Sequence, residues 1–214
     1  MKKLLAVSLG LIICFALITG CKSKNNDLVT ENNTVLPLPV TVDINNLKDY
    51  TAAVSLEKGD IYTDEEGTPW MKATVYAYDL YDMVDIAALK EGDTIVRLGK
   101  EVKITELNRR DTGLVSINGG EENGGFDLFT DGSTVYYEIG MSDVKAYYEL
   151  GEVTLEISKD FVYRDESDLE SVKEFNYQDF LSEDEEIIYN FSPHNTVVVI
   201  EYGIVTVMQK RYTP

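Results

Sequence analysis

Cysteine, histidine and positive charge are the scarce ingredients of this 214-residue chain, which has two Cys, one His, and 19 Lys and Arg against 38 Asp and Glu. The shortage of positive charge excludes nucleic acid as a partner. Gripping a phosphate backbone depends on clustered Lys and Arg that displace counterions, and the longest basic cluster is Arg109-Arg110. A Ser-His-Asp triad would have to use His194, which sits in Ser192-Pro193-His194-Asn195 just before an apolar run, and no G-x-S-x-G elbow accompanies it. His194 therefore reads as a turn residue. Ser142-Asp143-Val144-Lys145 has the S-x-x-K spacing of penicillin-binding serine enzymes, and Ser116-Ile117-Asn118 has the shape of their second motif. The order of the two is reversed, however, and no closing K-T-G exists, so Ser142 reads as a helix cap.

At the N-terminus, Lys2 and Lys3 precede an apolar run from Leu4 to Leu17 that ends in Ile18-Thr19-Gly20-Cys21. The run is shorter than the ~20 apolar residues of a membrane-spanning helix and contains Ser8 and Gly10. A basic start, an apolar centre and small residues at the end describe a secretory signal peptide. The four-residue ending resembles the lipobox of bacterial lipoproteins. That resemblance covers this segment alone. It implies cleavage before Cys21, a diacylglyceryl group on the Cys21 sulfur, and a place on the extracytoplasmic face of the cell membrane. Two acyl chains hold a protein stably where one holds it only marginally. The rest of the chain resembles small extracytoplasmic lipoproteins only in general character.

Processing of this kind removes Cys14 with residues 1–20 and occupies the remaining sulfur with lipid. No disulfide, thiolate nucleophile or cysteine metal site is then left, and one histidine cannot supply the usual zinc ligands. No cofactor is expected. Loss of Lys2 and Lys3 leaves 17 basic against 38 acidic side chains, a charge of −21. Such a charge opposes anionic headgroups, so attachment to the bilayer rests on the lipid.

Residues 21–46, rich in Asn, Thr and Asp with Pro37 and Pro39 around Leu38, read as the lipidated cysteine and a tether. Its coil span would be roughly 25 to 30 Å. The folded domain is expected over 47–214. Strands are expected at 50–57 and 70–82, where Thr74, Tyr76, Tyr78 and Leu80 alternate with Ala73, Val75 and Ala77. A short helix follows at 82–90. Further strands are expected at 94–97, 101–108, 113–118, 126–129 and 134–139, then a helix at 142–150 and a strand with an acidic face carrying Glu152 and Glu156. An acidic segment at 164–187 carries S-x-x-E patterns suited to short capped turns. Val197–Ile200 and Ile204–Val207 form a hairpin around Tyr202-Gly203, its first arm apolar on both faces and hence a central strand. The fold class is mainly β: a small barrel or sandwich with a few short helices, an OB-like or SH3-like barrel being preferred.

Two groups of side chains are candidates for a ligand surface. Tyr76 and Tyr78 on one strand face, with Tyr136-Tyr137 and Tyr147-Tyr148, are suited to an aromatic platform for glycan or peptide, although packing in core and edge also favours strand tyrosines. Glu121 and Glu122 lie in the glycine-rich loop 118–125. Acidic clusters at 64–66, 165–168 and 183–186 offer oxygen ligands to calcium but match no EF-hand loop, and read as solvated faces. The function expected is that of a non-catalytic, membrane-anchored module that binds an envelope protein or glycan. A glycan hydrolase using a carboxylate pair that includes Glu121 or Glu122, and a transporter's substrate receptor, are the alternatives.

Overall fold

A computed structural model describes residues 32–40, 42–140, 144–182 and 190–212. Cys21, Ser142 and residues 183–189 lie outside the described residues. In chain order the elements are β1 (Thr34–Val35), β2 (Tyr50–Ser55), β3 (Ile61–Thr63), β4 (Pro69–Ala77), β5 (Leu80–Asp82), α1 (Met83–Ala88), β6 (Thr94–Arg97), β7 (Lys100–Lys103), β8 (Leu107–Arg109) and β9 (Leu114–Ile117). They continue with β10 (Phe126–Phe129), β11 (Val135–Ile139), β12 (Tyr148–Glu166), β13 (Lys173–Asn176), α2 (Tyr177–Ser182), β14 (Thr196–Glu201) and β15 (Ile204–Arg211).

Alternation in β4 sets the interior of the first core: Met71, Ala73, Val75 and Ala77 are buried while Lys72 faces water. β4 pairs with β2 on one side and β12 on the other. The ring continues through β15 and β14 and returns to β2. Five strands thus close a barrel, antiparallel throughout except for β12 against β15. In chain order the ring runs first, second, third, fifth, fourth, which makes it a five-stranded Greek-key barrel of the OB kind. β14, apolar on both faces in sequence, sits centrally between β15 and β2. α2 packs at the barrel wall, where Tyr177 and Phe180 meet Phe161 at ring separations of 6.4 and 6.1 Å. Tyr163 and Phe191 complete this aromatic group.

Residues 78–147 leave the barrel after its second strand and return to begin its third. They build a five-stranded antiparallel sheet, β5-β11-β10-β9-β8, and most of a three-stranded sheet, β1-β6-β7. A second core joins these elements, with Tyr81, Ile86, Ile95, Ile117, Phe126 and Leu128 at its centre. Glu138 is buried and accepts two hydrogen bonds from Arg97, at 2.7 and 2.6 Å, and the Arg97 guanidinium lies 4.9 Å from the centre of the Phe126 ring. Pairing and stacking together offset the cost of burying the carboxylate.

Three expectations need correction. The folded unit begins at Asn32, not near Leu47. Val35 is buried in the second core, Leu38 N donates to Leu80 O at 2.6 Å, and Val42 and Ile44 pack on the barrel. The Ile44 side chain lies within 3.0 Å of where a Cβ on Gly151 would stand, so that glycine makes room for it. The apparent tether segment 32–46 is thus tied down by its few apolar side chains. Strand 70–82 breaks at Tyr78-Asp79, because the Asp79 carboxylate accepts from Leu98 N at 2.8 Å and hands β5 to the other sheet. The described part of 142–150 is not helical: from Tyr148 on, backbone groups are used by the ladder to β4. Among the described residues, no helix is long and apolar enough to cross a membrane.

Phe180 is fully buried beside the rings of Phe161, Tyr163 and Phe191, and α2 is too short to hold itself. Phe180→Ala should cost about 3 to 5 kcal/mol. Urea unfolding followed by circular dichroism measures this; a midpoint equal to that of the parent protein would refute the role given to α2.

Candidate functional site

Where the inserted residues leave and rejoin the barrel, a cleft of about 230 Å³ opens. Its aromatic lining comes from three separate stretches of chain. Tyr50 stands on β2, Tyr76 on β4, Tyr78 just beyond β4, and Tyr147 just before β12. Leu38, Pro39, Val40 and Val42 of the N-terminal segment supply apolar contacts. Pairing explains the convergence: Ala77 and Tyr148 are partners across β4 and β12, so the next residues outward, Tyr78 and Tyr147, emerge side by side. Their rings meet edge to face at 5.4 Å.

Tyr78 also meets the Tyr137 ring at 6.1 Å, and Tyr137 meets Phe129 at 5.9 Å, so the group bridges from barrel to inserted sheet. Lys145 completes it. Its ammonium donates to the Tyr78 hydroxyl at 2.9 Å and lies 4.2 and 4.8 Å from the centres of the Tyr78 and Tyr137 rings. Such contacts hold a cation against ring faces without a carboxylate. On the other wall, Tyr76 and Ser55 share a hydrogen bond of 3.0 Å. The exposed His194 packs its ring against Tyr147 at 5.4 Å.

The sequence candidates therefore divide. Tyr76, Tyr78 and Tyr137 are brought together. Tyr136, on the opposite face of β11, packs against the second core instead. Glu121 and Glu122 line a different cleft, of about 340 Å³, beside Arg110, Ser116 and Asp127. The loop carrying them is a 3-10 turn pinned by Glu121 N donating to Asp127 Oδ2 at 3.0 Å. Tyr50 and Lys145 belong to the tyrosine cleft but had no signal in sequence, since only barrel closure and the bridge of Lys145 to Ile139 bring them to it.

A larger groove, about 430 Å³, lies on the outer face of β4 and β12 beside the loop that follows β2. Glu57, Asp60, Lys72 and Glu152 line it, and Lys72 and Glu152 form an exposed ion pair at 3.0 Å. OB-type barrels commonly bind on this face. Here the face is charged and well solvated, whereas small-ligand sites are mainly apolar and aromatic with a few placed polar groups. The tyrosine cleft has that character, and its lining holds no carboxylate among the described residues of a chain with 38 of them.

Among the described residues, no three His, Cys, Asp or Glu side chains converge to hold a metal ion. Asp64 is occupied within its own turn: Oδ1 accepts from the Glu66 and Thr68 amides and Oδ2 from Trp70 Nε1 at 2.8 Å. In the next cluster, Asp165 accepts from Ser167 and from the Tyr163 hydroxyl. Compared with family models, with curated proteins and with solved structures, the chain matches none of them.

Burial pushes the Tyr50 and Tyr147 phenols above their ordinary value, with the Tyr78 phenol adding to the effect. Tyr137 is raised by burial first and then by the nearby Asp131. All three remain hydroxyl donors at neutral pH. A phenol raised in the folded state keeps its proton when the unfolded chain, at about 10, has lost it. Its contribution to stability is therefore complete below about pH 10 and is lost as pH rises beyond. Urea midpoints should be level to about pH 9.5 and fall by pH 11; identical midpoints at both would contradict the buried state of these rings.

Proposed function

We propose that this protein is a lipid-anchored module on the extracytoplasmic face of a cell membrane, that it is not an enzyme, and that its tyrosine cleft binds a glycan of the cell envelope. One observation carries the binding reading: in a chain so rich in acid, four tyrosines from three segments surround a cleft whose described lining is free of carboxylates. Aromatic faces stack on the C–H faces of sugar rings, and neutral phenols donate to and accept from sugar hydroxyls. The same lining has no acid to protonate a leaving group and no carboxylate to activate water, which a glycoside hydrolase requires.

The anchoring reading rests on the lipobox resemblance at Ile18-Thr19-Gly20-Cys21. Ten residues separate Cys21 from the folded unit at Asn32, and ten residues reach at most roughly 35 Å.

Two measurements on the mature chain test this reading. Tyr78→Ala should weaken retention on purified envelope glycan about tenfold, equivalent to about 1.4 kcal/mol. Retention equal to that of the parent protein would remove the cleft from the account. Cys21→Ser should move the protein from the detergent phase to the aqueous phase and lower its mass by the lipid; unchanged partitioning would remove the anchor.

A further inference from the structure

We infer that the sugar unit entering the tyrosine cleft carries a carboxylate, and that Lys145 Nζ receives it; this rests on the reading of the cleft as a glycan site. Three cations have acidic partners, Lys72 with Glu152, Arg97 with Glu138, and Arg164 with Glu166 and Glu174, while Arg109 is held by the Ile86 and Leu89 carbonyls. Lys145, which alone of these cations lines the aromatic cleft, makes no ion pair among the described residues, and its charge reaches only Asp131, an exposed carboxylate outside the cleft lining. Its ammonium has three N–H donors, and the Tyr78 hydroxyl takes one. The Tyr78 and Tyr137 rings attract the charge but accept only weakly as hydrogen-bond partners, so the part-exposed ammonium keeps N–H donors that an incoming acceptor can take over from water.

The ammonium is also held in place. Gly140 N donates to Val144 O at 2.7 Å and Ala146 N to Glu138 O at 3.0 Å, so the backbone on both sides of Lys145 is fixed to the end of β11. A donor held beside the bridge of Lys145 to Ile139, at the lining of an aromatic cleft, is set up for an incoming acceptor. Charge assistance makes a carboxylate the strongest acceptor for it, and the apolar walls strengthen the contact relative to open water.

Size and overall charge narrow the ligand. The cleft is smaller than the ~300 to 1,000 Å³ of sites that enclose drug-sized molecules, so it admits one ring with its substituents. The net charge of the whole chain is −19, which repels a densely charged polyanion at long range. A neutral glycan carrying an isolated carboxylate on one unit satisfies both conditions.

The mature chain, titrated by calorimetry with the disaccharide of N-acetylglucosamine and N-acetylmuramic acid, presents it with a ring bearing a single lactyl carboxylate. Chitobiose is the matched probe without that group. The acidic disaccharide should bind about tenfold or more tighter, the scale of one charge-assisted hydrogen bond. Lys145→Met, which keeps the stem packed on the rings, should abolish the difference, and Lys145→Arg should keep it, with melting temperatures confirming that both variants fold. Equal binding of the two disaccharides, weakened equally by Tyr78→Ala, would overturn the carboxylate inference and leave the cleft reading standing. Binding of neither would overturn both. Lys145-dependent binding of a peptide carboxylate with neither sugar bound would overturn the inference in favour of a peptide ligand.

Discussion

Closure of the barrel by β12 is the constraint on which the rest of the structure depends. This one strand pairs antiparallel with β4 through Tyr148–Glu156 and then parallel with β15 from Glu156 to Glu166. To serve both neighbours it changes register twice, between Glu149 and Gly151 and between Ile157 and Val162. Such irregularities bend a strand and raise its twist, which lets a sheet curl shut. Closure in turn fixes Ala77 opposite Tyr148, so whatever is inserted between them must leave and return at one point. Tyr78 and Tyr147 meet there as a geometric consequence. The cleft is therefore a product of the barrel's topology, and the inserted sheet adds Tyr137 and Lys145 to a position that the barrel has already defined.

The two hydrophobic cores are distinct groups of residues, one inside the barrel and one between the inserted sheets. Between them lies the tyrosine group, with Lys145 in its middle. Edge-to-face rings and a cation over ring faces each contribute on the order of 1 kcal/mol. They are modest next to a core, and they allow side chains at the seam to remain available to a ligand. The N-terminal segment crosses the same seam: Val35 enters the second core, Leu38 bonds to β5, and Ile44 sits over Gly151. It ties barrel and insertion together.

Sequence reading captured what local pattern determines and lost what closure determines. The alternation in β4, the apolar run of β14 and the Tyr202-Gly203 hairpin are period-two signals, and they lie where the pattern places them. The barrel class was legible from many short strands. The extent of β12 was not, because its first residues, with Ala146, Glu149 and Leu150 close together, have helical character that the ladder to β4 overrides. Residues 32–46 look like a tether by composition, yet three or four apolar side chains suffice to fasten them. Of the candidate site, Tyr76, Tyr78 and Tyr137 were legible as strand tyrosines, while Tyr136, one residue away, faces the opposite side. Tyr50 and Lys145 were not, since they join the group only across long sequence separations.

The claim at the centre of this account is that envelope glycan binds where the tyrosines converge. Nuclear magnetic resonance of the mature chain, labelled on its tyrosine rings and titrated with soluble envelope glycan fragments, tests it directly. Tyr50, Tyr76, Tyr78 and Tyr147 should shift with added glycan, while the exposed Tyr62 and Tyr202, which do not line the cleft, stay in place. Shifts at Tyr62 or Tyr202 with the four cleft resonances unmoved would contradict it.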